Sequence, residues 1–280
     1  KKAFYSLLLT GLIASAFTAG AKYLVAENVP TMTITWGRFF SGFVVLLFLS
    51  LKKKNLFPKP QNYKWLALRS LTNFVAVGFF YLAIEHSTLV KANLLNMTYP
   101  IFIAIFAPFF LKEATGKYHW LAVLISFVGV LLVLDFEFTG LVQGDLYGLI
   151  CGFIASISLM SLRKARQYDS SETIIFYVML TGSIGLLPFV SFDFEISTST
   201  ALAFLLTSLG GVAGQFFLTF SYKYTTALTA AVTTMIRLVF SASWGLLFFA
   251  ESISYGLFFG SLLIVFSIFL LRLETKKAQD

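Results

Sequence analysis

Charge is what this chain has least of. Only 12% of its residues are Asp, Glu, Lys or Arg, about half the ~25% of an ordinary soluble domain. A single cysteine, Cys151, excludes an internal disulfide. Two histidines and that one thiol give no paired Cys/His spacing for zinc, so neither metal nor cofactor is expected. With so few nucleophiles and bases, and no carboxylate deep in an apolar run, an enzyme is not expected either. What fills the space is apolar: 58% of the 280 residues are hydrophobic, 33 of them Phe, and the mean hydropathy is +0.84. A chain so composed is solvated largely by lipid. The net charge of +8 does not point to nucleic acid, because the basic residues sit in short clusters between apolar runs.

A helix needs about 20 apolar residues to cross the hydrocarbon core. Ten stretches qualify: Ala3–Val25, Thr31–Leu51, Trp65–Ile84, Leu89–Leu111, Tyr118–Leu134, Leu146–Leu162, Thr173–Val190, Leu202–Tyr222, Leu228–Phe249 and Tyr255–Leu271. The first follows Lys1-Lys2 and outlasts a signal-peptide core, so it reads as a span. The expected fold is an all-α polytopic membrane protein of ten helices. Its longest connector is Lys52–Lys64, with two prolines and a cluster of lysines. Most Lys and Arg, including Lys52, Lys64, Arg69, Lys112, Arg163, Arg166 and Lys223, fall on the side of the two termini. The acids Glu27, Asp135, Glu137, Asp145, Asp193 and Glu195 fall on the other. By the positive-inside bias both termini are expected in the cytoplasm of a cell (inner) membrane.

The chain also repeats itself. His86–Ala114 returns 138 positions later at Tyr224–Ser252. Thr88 falls on Thr226, Ala92 on Ala230, Met97 on Met235, Phe102 on Phe240 and Glu113 on Glu251. Gly11-Leu-Ile-Ala-Ser15 resembles Gly152-Phe-Ile-Ala-Ser156, and in that register Lys22 falls on Arg163. Residues 1–138 and 139–280 thus read as two five-span halves. An odd number of spans inverts the second half, which suits alternating access around a site near the midplane.

Arg38-Phe-Phe in the second run, Pro100 within the fourth, and an acid ending the fourth and ninth resemble the drug/metabolite transporter superfamily, in particular its EamA-like group. The resemblance covers the whole chain. It implies secondary transport of small organic molecules through a cavity lined by spans 1–4 and 6–9, with spans 5 and 10 peripheral. Substrates in such a family include amino acids and derivatives such as S-adenosylmethionine. One departure stands out: Leu238 replaces the proline expected opposite Pro100, and Arg237 sits beside it.

A charge at the bilayer centre costs roughly 2.5–3.5 kcal/mol on insertion scales, which makes such residues site candidates. Arg237 and Arg38 are expected to bind a carboxylate or phosphate of the substrate. Lys91 is expected to snorkel near Glu85. Glu85 and His86 are the acid and histidine at the outer mouth and are possible coupling groups. Asn73, Asn93, Asn96, Tyr99 and Gln215 supply neutral hydrogen bonds, and Trp36, Tyr81 and Phe216 supply aromatic walls. Pro100 is expected to kink its helix and free the Asn96 carbonyl. Glu113 and Glu251 are expected to cap or pair at the helix ends. The Gly256–Gly260 spacing favours close packing, within the chain or between two copies, so a monomer or homodimer is expected. The expected partners are the lipid bilayer and a small polar metabolite with an anionic or zwitterionic group. The alternative is export of hydrophobic or cationic drugs.

Overall fold

The computed structural model describes residues 2–52, 57–87, 89–134, 140–191, 193, 197–248 and 254–277. Among them it is all helix. In chain order the elements are α1 (Lys2–Ala26), α2 (Thr31–Lys52), α3 (Tyr63–His86), α4 (Leu89–Asn96), α5 (Tyr99–Phe110) and α6 (Lys117–Val133). There follow α7 (Gln143–Tyr168), α8 (Ser171–Leu186), α9 (Thr198–Ser221), α10 (Ala227–Thr234), α11 (Ile236–Phe248) and α12 (Tyr255–Lys277).

Eight segments are long and apolar enough to cross a membrane, two of them formed by α4 with α5 and by α10 with α11. Lys117–Val133 and Tyr255–Leu271 are shorter apolar helices. The expected ten runs are all helical, and these two fall below the spanning length of the rest.

Local chemistry sets the helix ends. Asn62, Ser170, Ser197 and Thr226 each accept the backbone N–H three residues on, capping α3, α8, α9 and α10. Just beyond α1 and α5, Asn28 and Lys112 turn the chain with φ of 61° and 58°. Outside the bundle the helices show lipid-like surface. Leu202, Leu205, Leu206 and Leu209 of α9 are exposed, as are Phe258, Leu262, Phe266 and Phe269 of α12. Apolar stripes of that extent have no place in water. This is a multi-pass membrane protein.

Contacts fix which ends share a face. The start of α1 meets the end of α9 through Ser6 Oγ donating to the Phe217 carbonyl (2.9 Å). That near face also gathers the start of α3 with the end of α7, where Asp169 accepts from the Gln61 N–H at 2.6 Å. The far face gathers the start of α2 with the end of α8, through Thr33 and Ser191, and the end of α3 with the start of α7, through Gly144 on His86.

The principal packings join early helices to late ones: α3 with α7, α1 with α9, α2 with α8, and α6 with α12. Glycines permit the closest of these. A Cβ on Gly129 would lie 2.8 Å from the Gly260 carbonyl, and one on Gly256 would lie 2.6 Å from that of Leu132. The Gly256–Gly260 spacing is therefore used inside the chain, against α6.

Candidate functional site

Both α4–α5 and α10–α11 are broken helices, and the breaks fall at register-equivalent positions, Met97 and Met235. At the first, the Thr98 N–H and hydroxyl both donate to the Leu95 carbonyl, at 3.1 and 2.6 Å. At the second, the Thr234 hydroxyl donates to the Ala231 carbonyl (2.8 Å), and the Met235 N–H reaches Val232 (3.1 Å). A threonine that bonds back three residues competes with the helical ladder and bends it. Pro100 then sits in the first turn of α5, where a missing N–H costs nothing. The break falls within one turn before Pro100, directly after Asn96. The chain leaves the helix before Pro100, and the second break forms with Leu238 at the proline's place. Gly152 of α7 seats the first break, since its Cβ would lie 2.7 Å from the Leu95 carbonyl and 3.2 Å from that of Asn96.

Two intramembrane arginines are the leading site candidates, Arg38 on α2 and Arg237 at the second break. Arg38 of α2 has its guanidinium over the rings of Phe39 (4.8 Å) and Phe17 (5.3 Å). Its stem crosses α9 at Gly211, where a Cβ would stand 2.5 Å away, and its buried Nε has no hydrogen-bond partner. The charge of Arg237 lies within its electrostatic reach, as does the Tyr81 phenol. Arg237, one residue into α11, points a guanidinium nitrogen at Met97 Sδ, 3.6 Å away. Tyr81 bonds to the Thr35 hydroxyl and to the Thr31 carbonyl (3.2 Å). Tyr99 crosses between the two broken helices, its hydroxyl 3.0 Å from Thr234 Oγ1 and 3.3 Å from the Ala231 carbonyl.

Other candidates stand apart from this group. Trp36 donates its indole N–H to the Ser183 carbonyl (3.0 Å) and so ties α2 to α8. Asn96 Oδ1 accepts from the Cys151 thiol at 3.5 Å. Asn73 is partly buried, as are Asn93 and Gln215, and the Gln215 amide nitrogen has no partner. Phe216 is 39% exposed and edges onto Phe217. Glu85 and His86 are exposed at the end of α3, where the imidazole faces the Leu82 carbonyl and the Tyr147 ring. A cavity of 240 Å³ opens between α1, α6, α11 and α12, lined by Thr18, Lys22, Leu238 and Trp244 among others. It lies beside the arginines: Leu238 lines it and Arg237 does not.

Two ion pairs frame the first broken helix. Lys91 is 5% exposed, and its ammonium donates to Asp145 Oδ2 at 3.2 Å and to the Gly140 carbonyl. This corrects the expectation of a snorkelling lysine near Glu85, because the start of α7 offers a fixed carboxylate. Ser87 and the Val142 N–H complete that carboxylate's bonds. At the other end, Glu113 pairs with Arg163 at 2.7 Å and accepts the first N–H of α10, from Ala227, at 2.8 Å. Arg163 also donates to the Tyr222 and Lys223 carbonyls. Glu113 thus caps one helix while pairing with another. Its counterpart Glu251 lies outside the described residues, as do Asp135, Glu137, Glu195, Lys53 and Lys54.

Sequence reading missed Arg69 and Tyr222. Arg69 counted as a topological charge, yet it is 2% exposed and inside α3. Its Nη1 donates to Ser158 Oγ on α7 at 2.6 Å. The Tyr222 side chain is wholly buried, and its hydroxyl has no partner. Position alone carried a signal for Arg69, since it lies within the apolar run from Trp65. Nothing in the sequence marked Tyr222, which is one of 12 tyrosines.

With this geometry in hand, similarity to known proteins is informative. Over 96% of both chains it is 26% identical to the pseudopaline exporter of Pseudomonas aeruginosa. The riboflavin transporter of Rhizobium johnstonii is 26% identical, over 97% of this chain and 91% of the other. The S-adenosylmethionine uptake transporter of Rickettsia felis is 24% identical, over 98% and 93%. A crystal structure with 19% identity superposes with a TM-score of 0.80 over 99% of both chains, which shows the fold. The EamA-like transporter family matches residues 1–135 and again 142–273, and the chain belongs to that family.

Proposed function

We propose that this protein is an alternating-access carrier for a small polar metabolite bearing an anionic or zwitterionic group, such as an amino acid derivative. The observation that carries the reading is the pair Arg38 and Arg237. They lie within electrostatic reach of each other, Arg237 standing between the two helix breaks, and no described carboxylate pairs with either. Two guanidiniums with spare donors inside a membrane call for an anion, and forked donors suit a carboxylate or phosphate. The relatives' named cargoes, pseudopaline, riboflavin and S-adenosylmethionine, are organic metabolites, which agrees with the size class.

The carrier has ten spans in two inverted five-span repeats, residues 1–138 and 139–280. Packing supports this, because the principal contacts have partners with the halves exchanged. The pairing of α1 with α9 answers that of α7 with α3, and α11 on α1 answers α5 on α7. Meanwhile α2 with α8 and α6 with α12 are each their own counterpart. Such a bundle can open to either face around a shared site. The basic bias places the near face, and both termini, in the cytoplasm of a cell (inner) membrane.

Arg237→Ala is the test. Transport and binding of the cargo should fall at least about tenfold, the worth of one charge-assisted bond, while the yield of folded protein persists. Unchanged transport removes Arg237 from the site. Counterflow in liposomes tests the carrier: trans-stimulation is expected, and its absence points to a channel.

A further inference from the structure

Arg69 and Tyr222 are not absorbed by the site just described. Arg69 is 2% exposed, so it does not snorkel to water, and it makes no ion pair among the described residues. One nitrogen, Nη1, is held by Ser158, and that serine in turn donates to the Arg69 carbonyl at 3.2 Å, which fixes the guanidinium's place. Its Nε is buried without a partner, and so is the Tyr222 hydroxyl at the end of α9. Both pack against the C-terminal half of α7, Arg69 through Ser158 and Tyr222 through Arg163, which donates to its carbonyl at 2.8 Å. Each lies within electrostatic reach of the other. The nearest acid on the Tyr222 side, Glu113, is already bound to Arg163 and to the Ala227 N–H.

Arg69 is also within reach of Arg38, and Arg38 of Arg237. The three stand at different depths. At 1.5 Å per residue, Arg69 lies about 9 Å from the near end of α3, and Arg38 about 10 Å from the far end of α2. Arg237 lies about 15 Å from the near end of its span. Three guanidiniums repel one another in a medium that screens poorly, and a single carboxylate leaves most of that charge unanswered. Buried donors without partners cost stability unless something supplies acceptors.

We propose that Arg69 and the Tyr222 hydroxyl form a second anion site, on the near-face side of Arg38 and Arg237, and that the cargo carries at least two anionic groups, carboxylates or phosphates. This rests on the reading of Arg38 and Arg237 given above. One group sits between those two arginines. The other is held by Arg69 and Tyr222, close to the Glu113–Arg163 pair.

The experiment is thermal stabilisation and titration of the purified full-length chain with sodium acetate, succinate, citrate and inorganic phosphate at matched ionic strength. Succinate and citrate should bind at least about tenfold more tightly than acetate, the gain from a second charge-assisted contact. Tyr222→Phe keeps the ring and removes an unpartnered hydroxyl, so the ligand-free protein should be as stable as before or more so. Succinate binding should nevertheless weaken about threefold to tenfold, and acetate binding should not change. Arg69→Gln should abolish the preference for succinate; where that variant does not fold, Tyr222→Phe decides. Succinate and citrate binding no more tightly than acetate overturns the proposal, as does a preference that Tyr222→Phe leaves intact. Acetate binding that depends on Arg237 alone would leave the carrier reading standing and remove only the second site. No stabilisation by any of these anions removes both.

Discussion

The two broken helices share a frame and differ in what fastens its far end and in what stands at its centre. The first, α4–α5, carries Lys91 near its start and Glu113 just past its end, and α7 meets them with Asp145 and Arg163. It is bolted to α7 at both faces, by pairs of opposite sense. The second, α10–α11, runs beside α1, where the register puts Thr229 and Phe4 in place of Lys91 and Asp145. Neither is charged, and Thr229 is occupied in the cap that Thr226 makes for α10. At the break the first has Tyr99-Pro100 and the second Arg237-Leu238. Symmetry therefore lies in the broken backbone and in the register that sets Glu251 and Lys22 against Glu113 and Arg163. Asymmetry lies in the Lys91–Asp145 clamp and the central side chains. The first helix carries the Lys91–Asp145 clamp; the second carries Arg237.

The sharpest way to break the comparison is to unbolt the first helix. Lys91→Ala leaves Asp145 buried beside an empty place, and loss of one partner of a buried pair costs about 3 kcal/mol or more. Thermal unfolding in detergent should show that loss, and the double variant Lys91→Met, Asp145→Leu should recover most of it. A single variant as stable as the parent would remove the far clamp from the scaffold. Glu113→Gln is expected to be milder, about 1–2 kcal/mol, because its pair is partly exposed and the amide still accepts from Ala227. It joins α5, α7 and α10 on one face, so cysteine accessibility at the near face should rise. Unchanged accessibility would mean the pair does not hold that face shut. Smallest of all should be Pro100→Ala, within about 1 kcal/mol and with transport nearly unchanged. Met235 shows that the break forms without a proline, so a large loss on replacing Pro100 would sink that equivalence.

Much of this was legible in the chain. Run lengths gave the helices, and the recurrence of Met97 at Met235 gave the register, though not the breaks that fall there. Arg38 and Arg237 stood out because charge within an apolar run is costly wherever the run is placed. Ion pairing was not legible in the same way. Lys91 looked closest to Glu85 because sequence distance is measured along one helix, whereas its partner arrives on another helix 54 residues away. Arg69 passed for a topological charge for the same reason: its burial is made by Ser158 and α7, 89 residues on.

By itself the sequence determined the solvent, the helices and the repeat. Hydropathy and period are properties of consecutive residues, and lipid leaves the backbone few alternatives to helix. Only the tertiary structure decided which charges are answered and which are left open. Pairing depends on what neighbouring helices bring within about 4 Å, and a linear chain does not encode that distance locally. The bundle answers Lys91 with Asp145 and Arg163 with Glu113, and leaves Arg38, Arg69 and Arg237 without a carboxylate among the described residues.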